Sequence, residues 1–182
     1  MKPQLLRYSV LLLICSTLLG CGFQLRGTGL AGTLLPDDWK SMYLVTTNPN
    51  SELSREITAR FAANGITWQA REAANYSLIV GSERFKQQNL SLSSDARAAE
   101  FELTLKAEFS VLDVQQQIVI EKSEAIIIKQ MENDPRNVVG KAEEVRLLRD
   151  EMRGELAEQL LRRIGFFATS KQSETSNEAR AE

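Results

Sequence analysis

The chain of 182 residues contains no histidine and only two cysteines, Cys15 and Cys21. Without histidine it lacks the commonest general acid–base group and the commonest metal ligand. A Ser-His-Asp triad and a Cys-His nucleophilic pair are therefore impossible. A glycine-rich phosphate loop between a strand and a helix is also missing. These absences argue against an enzyme and favour a protein that works by binding partners.

Long apolar runs are absent as well. Residues 8–19 are mostly apolar but too few to cross a bilayer as a helix, which takes about 20 residues. They follow the basic Lys2 and Arg7 and end in small residues, as a secretory signal does. The motif Leu18-Leu19-Gly20-Cys21 resembles a bacterial lipobox, in which the Cys becomes the first mature residue. We therefore expect a signal peptide over residues 1–20.

The lipobox resemblance implies a diacylglyceryl thioether and an amide-linked acyl chain on Cys21, and we expect no other cofactor. Acyl chains, at about 0.8 kcal/mol per buried methylene, hold a protein firmly to a bilayer. Gly22 stands where lipoproteins retained in the inner membrane carry Asp, so we expect anchoring in the inner leaflet of the outer membrane, on the periplasmic side. Cys15 leaves with the signal, so no cysteine pair remains for a disulfide or a thiolate metal site. The alternative is an uncleaved anchor helix with a buried Cys21.

The charge balance restricts the possible ligands. Removing Lys2 and Arg7 from the 22 basic residues leaves 20 against 24 acidic residues. That balance argues against nucleic acid bound through a broad basic face, so any anion site must be local. Five basic residues are candidates to bind a multiply phosphorylated headgroup together by charge-assisted hydrogen bonds, although each alone is more often ordinary surface charge: Arg84, Lys86, Arg97, Arg136 and Lys141.

The mature chain divides into a tether, one domain and a tail. Residues 21–38 are rich in glycine, which predicts an extended tether. Residues 39–167 carry the strand and helix patterns of a single domain. Residues 168–182 are polar and without an apolar pattern, which predicts a disordered tail.

The first half of the domain predicts a strand, a helix and a second strand. Residues 41–47 are a β-prone run that ends in a turn. Ser51 then caps a helix that ends at Asn64-Gly65, with an apolar stripe at Leu53, Ile57 and Phe61. Residues 75–92 alternate apolar and polar side chains in part and predict the second strand.

The second half predicts a long β-hairpin followed by a long helix. Residues 99–112 alternate strictly, which gives a strand one apolar and one polar face. Residues 117–130 form its antiparallel partner, with one face made by Ile118, Ile120, Ile126 and Ile128. Asp134-Pro135 starts a helix that Gly165 ends. Its apolar stripe consists of Val138, Val145, Leu148, Met152, Leu156, Leu160 and Ile164.

The apolar stripes of the two helices and the apolar face of the sheet are all buried when both helices pack on that face. The expected fold class is α+β, a two-layer sandwich with a four-stranded mixed sheet and two helices on one face. The acidic pairs Glu143-Glu144 and Asp150-Glu151 are interpreted as a solvated helix face rather than as acid–base groups.

Several motifs resemble the lipopolysaccharide-assembly lipoprotein family LptE. Its mature chains open with Cys-Gly, an aromatic, a polar residue, Leu and Arg, as in Cys21-Gly22-Phe23-Gln24-Leu25-Arg26-Gly27. Further motifs follow in the family's order: Ser54-Arg55 with Asn64-Gly65, then Ala99-Glu100-Phe101, then Asn133-Asp134-Pro135, Glu151-Met152 and the run EQLLRRI at 158–164. The resemblance covers nearly the whole mature chain.

The resemblance implies two helices on a four-stranded sheet and a non-enzymatic role. That role is to plug and help assemble the outer-membrane β-barrel LptD, which inserts lipopolysaccharide into the outer leaflet. A domain with polar surfaces suits a wet barrel lumen. We expect the tip at residues 91–97 and the turn at residues 115–117 to lie deep in the barrel.

The resemblance also ties lipopolysaccharide binding to two basic positions, one just before the Ala-Glu strand and one early in the last helix. Lys141 matches the second. Ser94 stands at the first and is not basic, so Arg97, three residues later, is the candidate substitute.

Two other functions fit the sequence. One is a lipid-anchored auxiliary subunit of another lipid-trafficking or barrel-assembly complex of the envelope, which would not co-purify with LptD. The other is a periplasmic enzyme that uses carboxylates alone, such as a glycosidase, which needs two carboxyls converging in a cleft.

Overall fold

The computed structural model describes residues 35–92, 98–132 and 138–181, with side chains over 35–91, 100–132 and 140–171. The predicted signal, most of the tether and Cys21 lie outside the described residues. So do three of the residues considered for lipopolysaccharide binding, Ser94, Arg97 and Arg136.

The described part of the chain contains two α-helices and six strands. A 3₁₀ turn, Asp37–Lys40, precedes strand β1, Ser41–Thr46, and helix α1, Glu52–Ala63. Helix α2 is Val138–Ala181. The other strands are β2, Thr67–Trp68; β3, Tyr76–Val80; β4, Arg84–Leu92; β5, Ala98–Asp113; and β6, Ile118–Glu132. The α+β class is confirmed.

The strands form one mixed sheet with β5 at its centre. Strand β1 runs parallel to β2 and β3. Strands β3 and β4 follow one another along one edge of β5, both antiparallel to it, and β6 pairs along the other edge. The prediction of four strands is therefore wrong, because the expected second strand is interrupted at residues 81–83 and the two-residue strand β2 was not foreseen.

The interruption between β3 and β4 is a one-residue bulge. Val80 pairs with Phe109 and Arg84 pairs with Lys106, so the segment between them has one residue more than the part of β5 that it faces. An extra residue reverses which side chains face the core. Leu78 and Val80 point to the helices before the bulge, and after it Glu83 and Phe85 do.

Helix α1 forms as its sequence predicts. Ser51 caps it by accepting a hydrogen bond from the backbone N–H of Ser54, and Leu53, Ile57 and Phe61 are buried. The helix ends at Asn64, and Gly65 follows with a φ of 85°, the left-handed conformation that glycine adopts most readily.

Both helices pack on the apolar face of the sheet. The buried stripe of α2 is formed by Met152, Leu156, Leu160 and Ile164, as predicted. It meets the stripe of α1 and the inner face of β5, where alternate residues from Leu103 to Val111 are buried. We call this helix-covered side of the sheet the inner face and the opposite side the outer face.

The inner face of β6 differs from the prediction. Its core residues are Ala125, Ile127 and Met131, whereas Ile126 and Ile128 lie on the outer face, 40% and 57% exposed. The reason is local. Because three consecutive residues are isoleucine, the sequence fits either orientation of β6. The pairing of Ala125 with the inward Ala107 turns Ile127 inward and Ile126 and Ile128 outward.

The C-terminal end of α2 also differs from the prediction. Gly165 does not end the helix, which continues to Ala181, so residues 168–181 are helical rather than disordered. A glycine ends a helix when it adopts the left-handed conformation, and among the described residues only Gly65 is a glycine with positive φ. A helical glycine lowers stability by about 1 kcal/mol relative to alanine but does not stop the helix.

Helix α2 runs the length of the sheet and defines two ends of the domain. At the end of the sheet where β4 ends and β5 begins, which we call the hairpin end, Lys141 of α2 lies over Phe101. At the opposite end, Phe167 of α2 packs edge-on to Trp39, which stacks on Tyr76 with ring centroids 3.9 Å apart. The chain enters the described domain here, at the buried Leu35, so we call it the tether end.

Candidate functional site

Arg84 and Lys86 lie on the outer face, on consecutive outward positions of β4. Arg84 pairs with Lys106 in the β4–β5 register, and Lys86 pairs with Thr104. The guanidinium of Arg84 lies between two carboxylates, 2.7 Å from Glu124 and 3.3 Å from Glu108. It is therefore already part of an ion-pair belt across the sheet.

The belt continues through two lysines. Lys106 reaches Glu124 at 3.1 Å, and Lys122 reaches Glu108 at 2.6 Å. Hydrogen bonds from Lys106 and then Arg84 lower the pKa of Glu124, and one from Lys122 is the main cause that lowers the pKa of Glu108. Both carboxylates are ionised at neutral pH, which makes the centre of the outer face charged and hydrophilic.

Lys86 differs from Arg84 in its surroundings. Its side chain is exposed, and none of the described carboxylates forms an ion pair with it. In the register, the strands place Thr104 and then Ile128 beside it. Lys86 is thus a cation available to an anionic group on the outer face.

Lys141 lies on the other side of the sheet. It is in the first described turn of α2, and its ammonium nitrogen is 3.9 Å from the ring centroid of Phe101, a cation–π contact. Phe101 faces inward with the other core residues of β5. The phenyl ring and the helix start together hold this lysine at the hairpin end.

The structure does not bring the predicted basic residues together. Arg84 and Lys86 point to the outer face because of their position after the bulge, whereas Lys141 lies on the inner side with the helices. Arg97 and Arg136 lie outside the described residues. The structure therefore places Arg84 and Lys86 on one side of the sheet and Lys141 on the other, and their binding of a phosphorylated headgroup stays a prediction.

The most strongly buried charges belong to a cluster that the sequence interpretation missed. Arg153 of α2 is 7% exposed and contacts Glu83 through two nitrogens, with its Nε 2.8 Å from Oε2 and its Nη2 2.7 Å from Oε1. Arg149 donates to the same Oε1 at 2.5 Å. Asp150, at 2.6 Å, and Glu52 of α1 also pair with Arg153. The cluster joins the bulge, α1 and α2.

The pKa of Glu83 reflects this environment. Burial alone raises the pKa of its carboxyl, but hydrogen bonds from Arg153 and Arg149 outweigh burial and bring the pKa below its usual value of 4.5. The carboxylate is therefore ionised at neutral pH. Its role is to compensate the buried guanidinium rather than to exchange protons.

Three of the four carboxylates in the acidic pairs of α2 are engaged in ion pairs. Glu143 and Asp150 both contact Arg146, at 2.6 and 3.1 Å, and Glu151 pairs with Lys129 at 2.8 Å. Within the described residues, no group of three or more histidine, cysteine, aspartate or glutamate side chains is arranged to hold a metal ion. Among the same residues, no helix combines the length and apolar character needed to span a membrane.

Replacing Glu83 tests the buried cluster. Removing one partner of a buried ion pair costs about 3–5 kcal/mol, but Arg153 keeps Asp150 and Glu52, so for Glu83→Gln we expect a loss of about 2 kcal/mol in the free energy of unfolding. The measurement is urea unfolding at pH 7. Glu143→Gln, which breaks only an exposed pair with Arg146, is the matched control and should cost less than about 1 kcal/mol.

The pH dependence of the stability difference between wild type and Glu83→Gln tests whether the ionised carboxylate causes it. Because the native pKa of Glu83 is lowered, its contribution is complete above the ordinary value of 4.5 and is lost as the pH falls through the native pKa. The stability difference between wild type and Glu83→Gln should therefore shrink in acid. Equal stabilities at pH 7, or a difference that does not change below pH 4.5, would show that Glu83 does not stabilise the fold in this way.

Comparison with known proteins places the domain in a family. The protein-family model described as "LptE: Lipopolysaccharide-assembly" matches residues 39–164 of this chain. The LPS-assembly lipoprotein LptE of Yersinia pestis (strain Pestoides F) is 29% identical over 148 residues, which are 80% of this chain and 68% of the relative. The protein of the same name from Yersinia pseudotuberculosis serotype O:1b (strain IP 31758) gives the same values.

Solved structures share the fold. The crystal structure of rare lipoprotein B from Shewanella oneidensis is 25% identical, with a TM-score of 0.58 over 77% of this chain and 97% of that one. The solution structure of a lipoprotein B from Nitrosomonas europaea has a TM-score of 0.67 over 81% of this chain and 96% of that one. At 18% identity, this second likeness concerns the fold alone.

Proposed function

This chain belongs to the LptE family of lipopolysaccharide-assembly lipoproteins, and from that membership we propose that it occupies and helps assemble the LptD β-barrel and so assists insertion of lipopolysaccharide into the outer leaflet. The observation that carries the proposal is the extent of the family match. Residues 39–164 include all six described strands, helix α1 and most of the packed part of α2.

The surface of the domain supports a place inside a barrel. Porin-type lumens are polar and wet. The outer face carries the belt of Arg84, Lys106, Lys122, Glu108 and Glu124, whose charges remain hydrated when the face lies against a polar wall. A rigid core filled by both helices gives the domain a fixed shape to fit that lumen.

The two turns expected deep in the barrel lie at opposite ends of β5. That strand has 16 residues, so its ends are about 50 Å apart at roughly 3.3 Å per residue. The apolar band of an outer-membrane barrel is about 25 Å tall. Only one of the two turns can enter the lumen first, so we do not place residues 115–117 deep in the barrel.

The position of the lipid anchor determines which end of the domain enters the barrel first. We place three acyl chains on Cys21 in the inner leaflet of the outer membrane, outside the barrel wall, on the periplasmic side. Leu35 joins the tether to the domain at the end that holds Trp39 and Asp113. Entry by that end would draw the anchor through the barrel, so the opposite, hairpin end leads, and it carries Lys141 towards lipopolysaccharide in the lumen.

The proposed role is non-enzymatic. The depression between α1 and α2 is lined by three carboxylates, those of Glu52, Glu56 and Asp150. A glycosidase would need two of them to be free of ion pairs. Each is engaged instead: Glu52 and Asp150 with Arg153, and Glu56 with Arg60 at 2.5 Å. The depression therefore supplies anchoring charges to the fold rather than an acid and a nucleophile.

The anchor is tested by a pair of cysteine variants. Cys21→Ala should abolish the mass increment of the lipid and lower the share of the protein in the outer-membrane fraction, because it removes the thiol that carries the acyl chains. Cys15→Ala is the matched control and should leave both mass and fractionation unchanged. An unmodified Cys21 thiol in the wild-type protein, found by intact-mass spectrometry, would refute the proposed lipidation.

The proposed role and orientation are tested in cells depleted of this chain. Depletion should lower mature LptD and surface lipopolysaccharide, and wild-type chain should restore both. A variant with residues 93–97 replaced by Asn-Gly should restore neither fully, since it shortens the leading end. The matched variant with residues 114–117 replaced by Asn-Gly should restore both. Unchanged lipopolysaccharide at the surface after depletion would exclude the function, and the reverse order of the variants would exclude the orientation.

A further inference from the structure

Strand β6 is hydrogen-bonded along one edge only. No strand within residues 35–92, 98–132 and 138–181 pairs with its other edge. The register with β5 is continuous from the pair Glu108–Glu124 to the pair Glu100–Glu132, without a bulge that would turn the edge away. An unpaired edge of this kind presents a row of N–H and C=O groups with which another extended segment can form a ladder.

The peptide groups that face this open edge follow from two hydrogen bonds. The carbonyl of Glu124 accepts from Arg163 Nη1 at 2.9 Å, and the carbonyl of Glu108, its partner on β5, accepts from the Gly81 N–H on the side away from β6. In an antiparallel pair the N–H and C=O of a residue point to the same side, and the side alternates. The groups facing the open edge beyond Glu124 are therefore those of Ile126, Ile128, Gln130 and Glu132.

The outward side chains at the start of this stretch do not protect the edge. Edges left in solvent usually carry proline, charge or a bulge. Ile126 and Ile128 are apolar and 40% and 57% exposed on the outer face. Lys129 points inward, a common protective device, but its ammonium group is held by Glu151 and Glu155 of α2, each at 2.8 Å.

Arg163 sets the limit of the free edge. Its guanidinium occupies the Glu124 carbonyl and closes the edge at that point. The stretch that remains, residues 126–132, is long enough for a short extended segment.

We propose that residues 126–132 of β6 bind an extended segment of the LptD barrel by strand addition, an inference that rests on the proposed function for the identity of the partner. A closed barrel pairs every strand of its wall, so the segment comes from a loop or chain terminus inside the lumen. On the outer face, we expect this LptD segment to place apolar side chains opposite Ile126 and Ile128 and a basic or polar side chain opposite Glu132.

A second copy of this chain fits the same edge poorly. The two-fold register that uses the whole free stretch is centred on Lys129, which then faces its own counterpart. It also places Glu132 opposite Ile126 and Gln130 opposite Ile128. Like charges directly opposite one another destabilise a strand pair, and the apolar side chains remain uncovered by apolar ones.

The test removes one of the four backbone donors that face the open edge. Full-length tagged lipoprotein is purified with its membrane partners in mild detergent, and the recovered LptD is quantified. Ile128→Pro removes an N–H that points away from β5, so the fold tolerates it, and the melting temperature of the purified variant checks this. We expect about a tenfold loss of recovered barrel, the effect of roughly one hydrogen bond and an obstructed ladder.

Two control variants isolate the edge. Gln87→Pro makes the same change on β4, whose edge away from β5 pairs with no strand of the described residues, and should recover LptD as wild type does. Ile128→Thr keeps the N–H and a β-branched side chain and should lose less than Ile128→Pro. Wild-type recovery with Ile128→Pro, or equal losses with Gln87→Pro, would overturn the inference while leaving the proposed function intact.

A photoreactive residue at Gln130 gives a readout that does not depend on folding of a proline variant. Cross-linking to one LptD segment, mapped by mass spectrometry, is the expected result. Cross-linking to a second copy of this chain, or to no protein while LptD still co-purifies, would overturn the inference. If wild-type chain recovers no LptD at all, the proposed function fails, and the choice of partner fails with it.

Discussion

The alternation of side chains along β5 is the constraint on which the rest of the domain depends. This strand pairs along both edges, with β3 and β4 on one side and β6 on the other, so its two faces fix the faces of the whole sheet. Its inward residues from Leu103 to Val111 form the floor on which both helices pack. Its outward residues Lys106 and Glu108 carry the charged belt.

The bulge at residues 81–83 modifies this simple pattern and gives the fold its buried charge cluster. Without the extra residue, Glu83 would point outward with the belt and Arg84 would point inward. With it, Glu83 meets Arg149 and Arg153 beneath the helices. A buried ion pair adds little stability over an apolar contact of the same volume, but it is costly to break. The cluster therefore fixes where α1 and α2 meet the sheet rather than simply adding stability.

The sequence predicted those features whose signals are local. The cap at Ser51, the glycine end of α1 and the period of two in β5 depend on neighbouring residues and are confirmed. The faces of β6 were assigned wrongly because Ile126, Ile127 and Ile128 carry no period. The cluster around Glu83 was missed because its partners lie 66 and 70 residues away in the chain and the preceding Gly81-Ser82 was the only hint of a bulge. The basic residues were grouped by their chain positions, and only the fold reveals that a sheet lies between Arg84 and Lys141.

The anchor, the polar outer face and the open edge of β6 combine in one account. In the proposed arrangement, a lipid on Cys21 would hold the tether end near the rim of the barrel, the charged outer face would meet a wet wall, and the open edge of β6 would pair with an extended segment of the barrel protein. The most direct test of its central claim is purification of the intact chain from outer membranes in mild detergent, with the stoichiometry of co-purified LptD measured. The account predicts LptD and this chain in near-equal amounts. Recovery of the lipidated chain without LptD, or with a different membrane complex in its place, would contradict it.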